Sequence, residues 1–111
     1  MLDLKYRPSM RGMRIDFTEI ATVVLAHANV LVPAWIPDGR RQGREWIARN
    51  PKRADKHCGS FCVNLTTGKW ADFAVAGAKG GDLISLRAYL DGVSQSEAAR
   101  RVAMEVGYGA L

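Results

Sequence analysis

The sequence predicts an α+β domain: a small antiparallel sheet packed with about three helices. Three observations carry that expectation. First, Phe61, Val63 and Leu65 alternate with Ser60, Cys62 and Asn64, the period of a half-buried strand. Second, Thr66-Thr67-Gly68 interrupts the alternation as a hairpin loop would, and a second alternating stretch follows from Lys69. Third, Asp16 with Glu19 and Ser94 with Glu97 have the spacing of capping boxes, each ahead of an apolar stripe of helical period. At 111 residues and 48% hydrophobic, the chain suits one compact domain. Residues 15–111 read as that domain. Residues 1–14, basic and without period, read as an N-terminal arm.

Taken in order, Asp16 opens a helix expected near 15–30, with Phe17, Ile20, Ala21, Val24 and Ala28 on its apolar side. His27 falls beside that side, as a packed or surface residue. Val32-Pro33 is expected to end the helix. Pro37-Asp38-Gly39 signals a turn. Glu45-Trp46-Ile47-Ala48 reads as a strand near 44–49, and Asn50-Pro51 as the start of a loop. The hairpin strands are expected near 60–66 and 69–75. A three-residue loop with Gly68 left-handed would set Val63 opposite Ala71 and Phe61 opposite Phe73. Phe61, Val63, Leu65, Ala71 and Phe73 would then share the apolar face, leaving Trp70 and Asp72 on the solvent side. Asp82 is an N-cap for a helix over 82–91, striped by Leu83, Leu86 and Leu90. Ser94 caps a last helix over 94–106, with Ala98, Ala99, Val102, Ala103 and Val106 inward and Gly107 as its stop.

The charge is uneven. Net charge is +5, and Arg40, Arg41, Arg44, Arg49, Lys52, Arg53 and Lys56 gather against Asp38, Glu45 and Asp55. Such a run is commonly a solvated face. Trp46 and Trp70 beside it favour nucleic acid, because bases stack on rings while cations hold the backbone. Lys79, with the amides of Gly80 and Gly81 ahead of a helix, offers a place for one phosphate, although a flexible connector ended by a cap has the same composition. No phosphate-loop motif is present. No nucleophile has an evident base and orienting partner, and no acidic cluster suggests a two-metal centre, so no catalytic residue is assigned. Asp72 and Asp82 have plain readings as a solvated strand residue and a helix cap. Cys58 and Cys62 are expected as reduced thiols, and with His57 they fall short of the four ligands of a structural zinc site. No apolar run spans a bilayer, and residues 1–12 lack the core of a signal peptide, so a cytoplasmic protein is expected.

The order of these pieces resembles the N-terminal zinc-ribbon domain of DnaG-type primases, and in particular its degenerate forms in phage and plasmid primases. The resemblance runs from about Val30 to Gly107. It rests on Gly43-Arg44-Glu45-Trp46 leading to Asn50-Pro51, on Gly59-Ser60-Phe61-Cys62-Val63-Asn64, and on Gly68-Lys69-Trp70-Ala71-Asp72-Phe73. Gly80-Gly81-Asp82-Leu83-Ile84 and Ser94-Gln95-Ser96-Glu97-Ala98-Ala99 complete it. The family holds its metal with a Cys-Pro-x-His corner and a Cys-x-x-Cys corner. Here those corners read Asn50-Pro51-Lys52-Arg53 and Asp72-Phe73-Ala74-Val75. The resemblance therefore implies the ribbon shape without zinc or any other cofactor, stabilised by packing instead of metal.

In the family the ribbon sheet engages single-stranded template DNA. The expected function is a nucleic-acid-binding module, for single-stranded DNA, in a phage or mobile-element replication system. Phosphate contacts are expected from Arg40, Arg41, Arg44, Arg49, Lys52, Arg53 and Lys69. Stacking is expected from Trp70 and Trp46, with one phosphate at Lys79, Gly80 and Gly81. Two alternatives belong to other classes: a small phage protein using the fold as a protein-interaction or inhibitor module, and an accessory fragment working beside a primase or helicase core.

Overall fold

The structure is a computed structural model that describes residues 15–52 and 60–108. The N-terminal arm, Arg53, Lys56, His57 and Cys58 lie outside the described residues. Among the described residues, four helices and a five-stranded sheet make up an α+β fold: α1 (Phe17–Leu25), α2 (Ala28–Trp35), β1 (Gly39–Gln42), β2 (Glu45–Ala48), β3 (Phe61–Asn64), β4 (Trp70–Asp72), β5 (Lys79–Gly80), α3 (Leu83–Asp91) and α4 (Gln95–Glu105). The strands pair in chain order, each antiparallel to the next.

The helix starts follow the capping pattern. Asp16 Oδ1 accepts from Glu19 N at 2.9 Å, Asp82 Oδ1 from Ser85 N at 2.8 Å, and Ser94 Oγ from Glu97 N at 3.1 Å. Gly92 and Gly107 end α3 and α4 in the left-handed conformation, φ 69° and 76°. The first helix differs from expectation. It is two helices, bent by 89° between Leu25 and Ala28. The His27 ring donates from Nδ1 to the Val23 carbonyl at 2.9 Å. In a continuous helix that carbonyl would take the His27 backbone N–H, which instead bonds Val24 O at 2.9 Å. Pro33 does not end a helix but lies inside α2. It falls in the last turn, where the lost amide removes a single ladder bond.

The hairpin register is shifted by one residue from the expected one. Val63 faces Trp70, Cys62 faces Ala71 and Phe61 faces Asp72. The cause is Asn64. Its Oδ1 accepts from Thr66 N at 2.8 Å and Thr67 N at 3.0 Å, and its backbone N–H donates to Lys69 O at 2.7 Å. This side-chain turn draws Leu65 into the loop, which becomes four residues instead of three. Gly68 still takes the left-handed position, φ 83°. Leu65 leaves the hairpin, yet it stays buried, and its N–H bonds Arg44 O at 2.7 Å.

A one-residue slip turns over every side chain of β4. Trp70 and Asp72, expected on the solvent side, are buried, whereas Phe73, expected in the core, is 79% exposed. The second hairpin strand is also short, Trp70–Asp72 instead of 69–75. One face of the sheet carries Ala48, Phe61, Val63, Trp70 and Asp72, all buried. It packs with Ile20, Val24, Val32, Leu83, Leu86, Ala98 and Val102 of the helices in one core. Trp70 stands 6.0 Å from Phe61 and 5.0 Å from Tyr89, ring centre to ring centre, and its Nε1 donates to Ser85 Oγ at 2.9 Å. No single helix among the described residues is long and apolar enough to cross a membrane.

Candidate nucleic-acid interface

The cross-strand partners define the second face of the sheet. Arg40, Ile47, Cys62, Ala71 and Lys79 form one row across all five strands. With strands about 4.8 Å apart, that row is about 19 Å long. Gln42, Glu45 and Asn64 form the next row, which Lys69 extends through its bond to Asn64. On the other side, alternation puts Arg49 and Ser60 beside Phe73, whose N–H donates to Ser60 O at 2.8 Å. None of the buried core residues belongs to this face. Arg40, Lys69, Lys79 and Phe73 are exposed, and Ile47, Cys62 and Ala71 are half-buried.

The electrostatics of the face follow from its partners. Glu45, its carboxylate, accepts from Asn64 Nδ2 at 3.1 Å. Arg49 pairs with Asp38 at the end of the sheet. The ion pairs of Arg87, Arg100 and Arg101 lie on the helices, with Asp91, Glu97 and Glu105. There, burial pushes the Asp91 carboxyl up, but hydrogen bonds from Arg87 and Arg101 outweigh it and hold the group below its ordinary value. Tyr108 is raised by its hydrogen bond to Glu19, since the carboxylate disfavours a phenolate beside it.

Of the residues singled out from sequence, Arg40, Arg49, Lys69 and Lys79 share this face, and Arg44 is exposed at the β1–β2 turn beside it. The others do not join them. Arg41 belongs to the opposite face, where Nε donates to Gly43 O at 2.9 Å and Nη1 to Asn29 at 3.3 Å. Trp46 is half-buried on that same face and donates from Nε1 to Ile36 O at 2.8 Å. Lys52 lies over the Tyr89 ring, its Nζ 5.3 Å from the centre. Gly80 is packed against Trp70: a Cβ there would press on Trp70 Nε1 and on Ser85 Oγ. Trp70 is 5% exposed, so the expectation that its ring stacks a base is corrected. The reason is the shifted register. Gly81 is exposed, but Asp82 fills the first turn of α3 with its own carboxylate, which removes the attraction for a second anion. Arg53 lies outside the described residues.

Phe73 is the residue that sequence reasoning missed. Its signal was Asn64, a residue that bonds its own turn and so changes the loop length.

The two corners singled out by the resemblance meet in space. Asn50 Nδ2 donates to Asp72 Oδ2 at 2.8 Å and to Tyr89 Oη at 2.8 Å, and Asn50 Oδ1 accepts from Lys52 N at 2.8 Å. Asn50 and Asp72 are 1% and 2% exposed, so Asp72 is no solvated strand residue. Among the described residues, no group of three or more His, Cys, Asp or Glu side chains is placed to hold a metal ion. A groove of about 290 Å³ between α1, the β3–β4 loop and the start of α3 is lined by Phe17, Leu25, Thr67, Asp82 and Leu83. Its carboxylate, Asp82, is committed to the α3 cap.

Comparison with protein-family models gives no match for this chain, and comparison with curated proteins gives none either.

Proposed function

We propose that this chain is a nucleic-acid-binding module, with single-stranded DNA as its ligand, serving a phage or mobile-element replication system. The observation that carries the reading is the second face of the sheet: Arg40, Lys69 and Lys79 exposed around a half-buried row of Ile47, Cys62 and Ala71, with Arg44 at its edge. The face sets these cations against Glu45, with Asp38 paired to Arg49 at its end, and the chain as a whole carries +5, so a polyanion is the complementary partner. The meeting of Asn50 with Asp72 supports the resemblance to a primase ribbon. Residues at the two ligand corners come within hydrogen-bond reach, as the ends of a shared site would.

Binding of short single-stranded DNA, measured against salt, tests the reading. Each phosphate contact on a single strand contributes about 0.7 to the slope of log K against log salt. Replacing Arg40, Lys69 and Lys79 together by Gln is expected to lower that slope by about 2, since the three contacts are lost. An unchanged slope would refute the assignment to this face. Absence of any salt-sensitive binding by the wild-type protein would refute the function and favour the protein-interaction module.

A further inference from the structure

We infer that Phe73 is the ring on which an unpaired base of the bound strand stacks. The inference rests on the nucleic-acid reading above and assigns a role to a residue that the charge pattern does not reach.

The ring is 79% exposed. Burial of a phenylalanine side chain favours folding by about 1.5–3 kcal/mol, and the fold forgoes most of that here. Loose backbone does not account for the exposure. Phe73 N–H donates to Ser60 O at 2.8 Å, and the next amide, Ala74 N, donates to Asp72 Oδ1 at 2.9 Å. Asp72 is in turn fixed by Asn50. The buried polar node at the end of β4 therefore holds the ring out from a rigid support.

The position of the ring selects its ligand. The Phe73–Ser60 pair follows the Asp72–Phe61 pair, so Phe73 shares the face of Ala71 and Cys62. It stands two residues from Ala71, just past the end of β4, about 7 Å away. Lys79 pairs with Ala71, and Arg49, ion-paired with Asp38, lies at the same end of the sheet as Phe73. A flat apolar ring near the exposed Lys79 fits an anionic chain that carries exposed aromatic faces. Single-stranded DNA has that chemistry. A duplex does not, because its base faces are stacked on one another. Trp46 and Trp70 lie on the opposite face, so among the described residues Phe73 is the aromatic side chain available to a base on this one.

The test uses the full-length protein, a fluorescent eight-nucleotide thymidine oligomer, the same oligomer with every base removed, and the matching duplex. Phe73→Ala is expected to weaken binding to the intact oligomer by about 5- to 150-fold, the value of one stacked base, with the salt slope unchanged. Phe73→Leu, which keeps an apolar group but no ring face, is expected to lose binding similarly, and Phe73→Tyr to retain it. The base-free oligomer should bind the wild-type protein as weakly as the intact oligomer binds Phe73→Ala, and the alanine variant should not distinguish the two. Salt-sensitive wild-type binding that Phe73→Ala and Phe73→Leu leave intact would overturn the stacking role while the charged face stands. Preference for the duplex, or tighter binding of the matching RNA oligomer, would overturn the choice of ligand. Failure of the wild-type protein to bind at all would instead remove the nucleic-acid reading itself.

Discussion

Truncation of Trp70 to alanine separates the two hairpin registers by their effect on stability. In the register built by the Asn64 turn, Trp70 is 5% exposed, packed between Phe61 and Tyr89, and bonded to Ser85. Its indole also lies across Gly80, where no side chain could be accommodated. Trp70→Ala removes all of these contacts and leaves a cavity in the core. Buried Trp or Phe to Ala costs about 3–5 kcal/mol. That is a large part of the 5–15 kcal/mol (about that range) that holds a domain together. At roughly 4 °C per kcal/mol for a domain of this size, the midpoint should fall by more than about 10 °C. Phe73→Ala, on the outer side of the sheet and mostly in water, should stay within about 0.5 kcal/mol of wild type. With Ala71 and Phe73 inward the two effects would be exchanged. Urea unfolding of both variants, followed by far-ultraviolet dichroism, measures the difference. Trp70→Phe, which keeps most of the ring volume, provides a folded comparison if the alanine variant does not fold. Wild-type stability in Trp70→Ala, or a loss of about 3 kcal/mol in Phe73→Ala, would refute the register and the assignment of Trp70 to the core.

Two further outcomes follow from the polar groups. Asn50→Ala should cost about 1–3 kcal/mol in the same unfolding assay, because it withdraws the amide that serves the buried Asp72 carboxylate and Tyr89; stability within about 0.5 kcal/mol of wild type would show that the node is not structural. The helix-borne cluster sets an acid-side dependence: the Asp91 carboxyl titrates below its ordinary value of 3.8 because Arg87 and Arg101 donate to it, so its contribution is present above that pH and is lost as pH falls through the lowered value. Asp91→Asn should therefore lower the stability at neutral pH and flatten part of the loss below about pH 4, as read from urea midpoints against pH; an acid limb identical to wild type would exclude Asp91 as its source.

The sequence by itself determined the local events of this fold. Asp16, Asp82 and Ser94 start helices because each has an oxygen that can reach an amide three residues on, a decision made within one turn. Phe61 and Val63 are buried because alternate residues of one strand share one side, whatever the strand pairs with. The cationic stretch after Pro37 was equally legible, and Arg40 and Arg49 reach the face it suggested. β1 was not read, because Gly39-Arg40-Arg41-Gln42 has no apolar alternation and becomes a strand only by pairing with β2. β5, of two residues, exists for the same reason beside β4.

Only the tertiary structure decided which side of β4 is inside. Trp70-Ala71-Asp72-Phe73 alternates in a way that fits either face. The choice between them was made at Asn64, by side-chain bonds that lengthen the loop by one residue. From that shift come the buried Trp70, the Asn50–Asp72 node and the exposed Phe73. The physical reason is that strand pairing has a period of two: a change of one residue, too small to read in composition or spacing, exchanges core for surface along the whole strand.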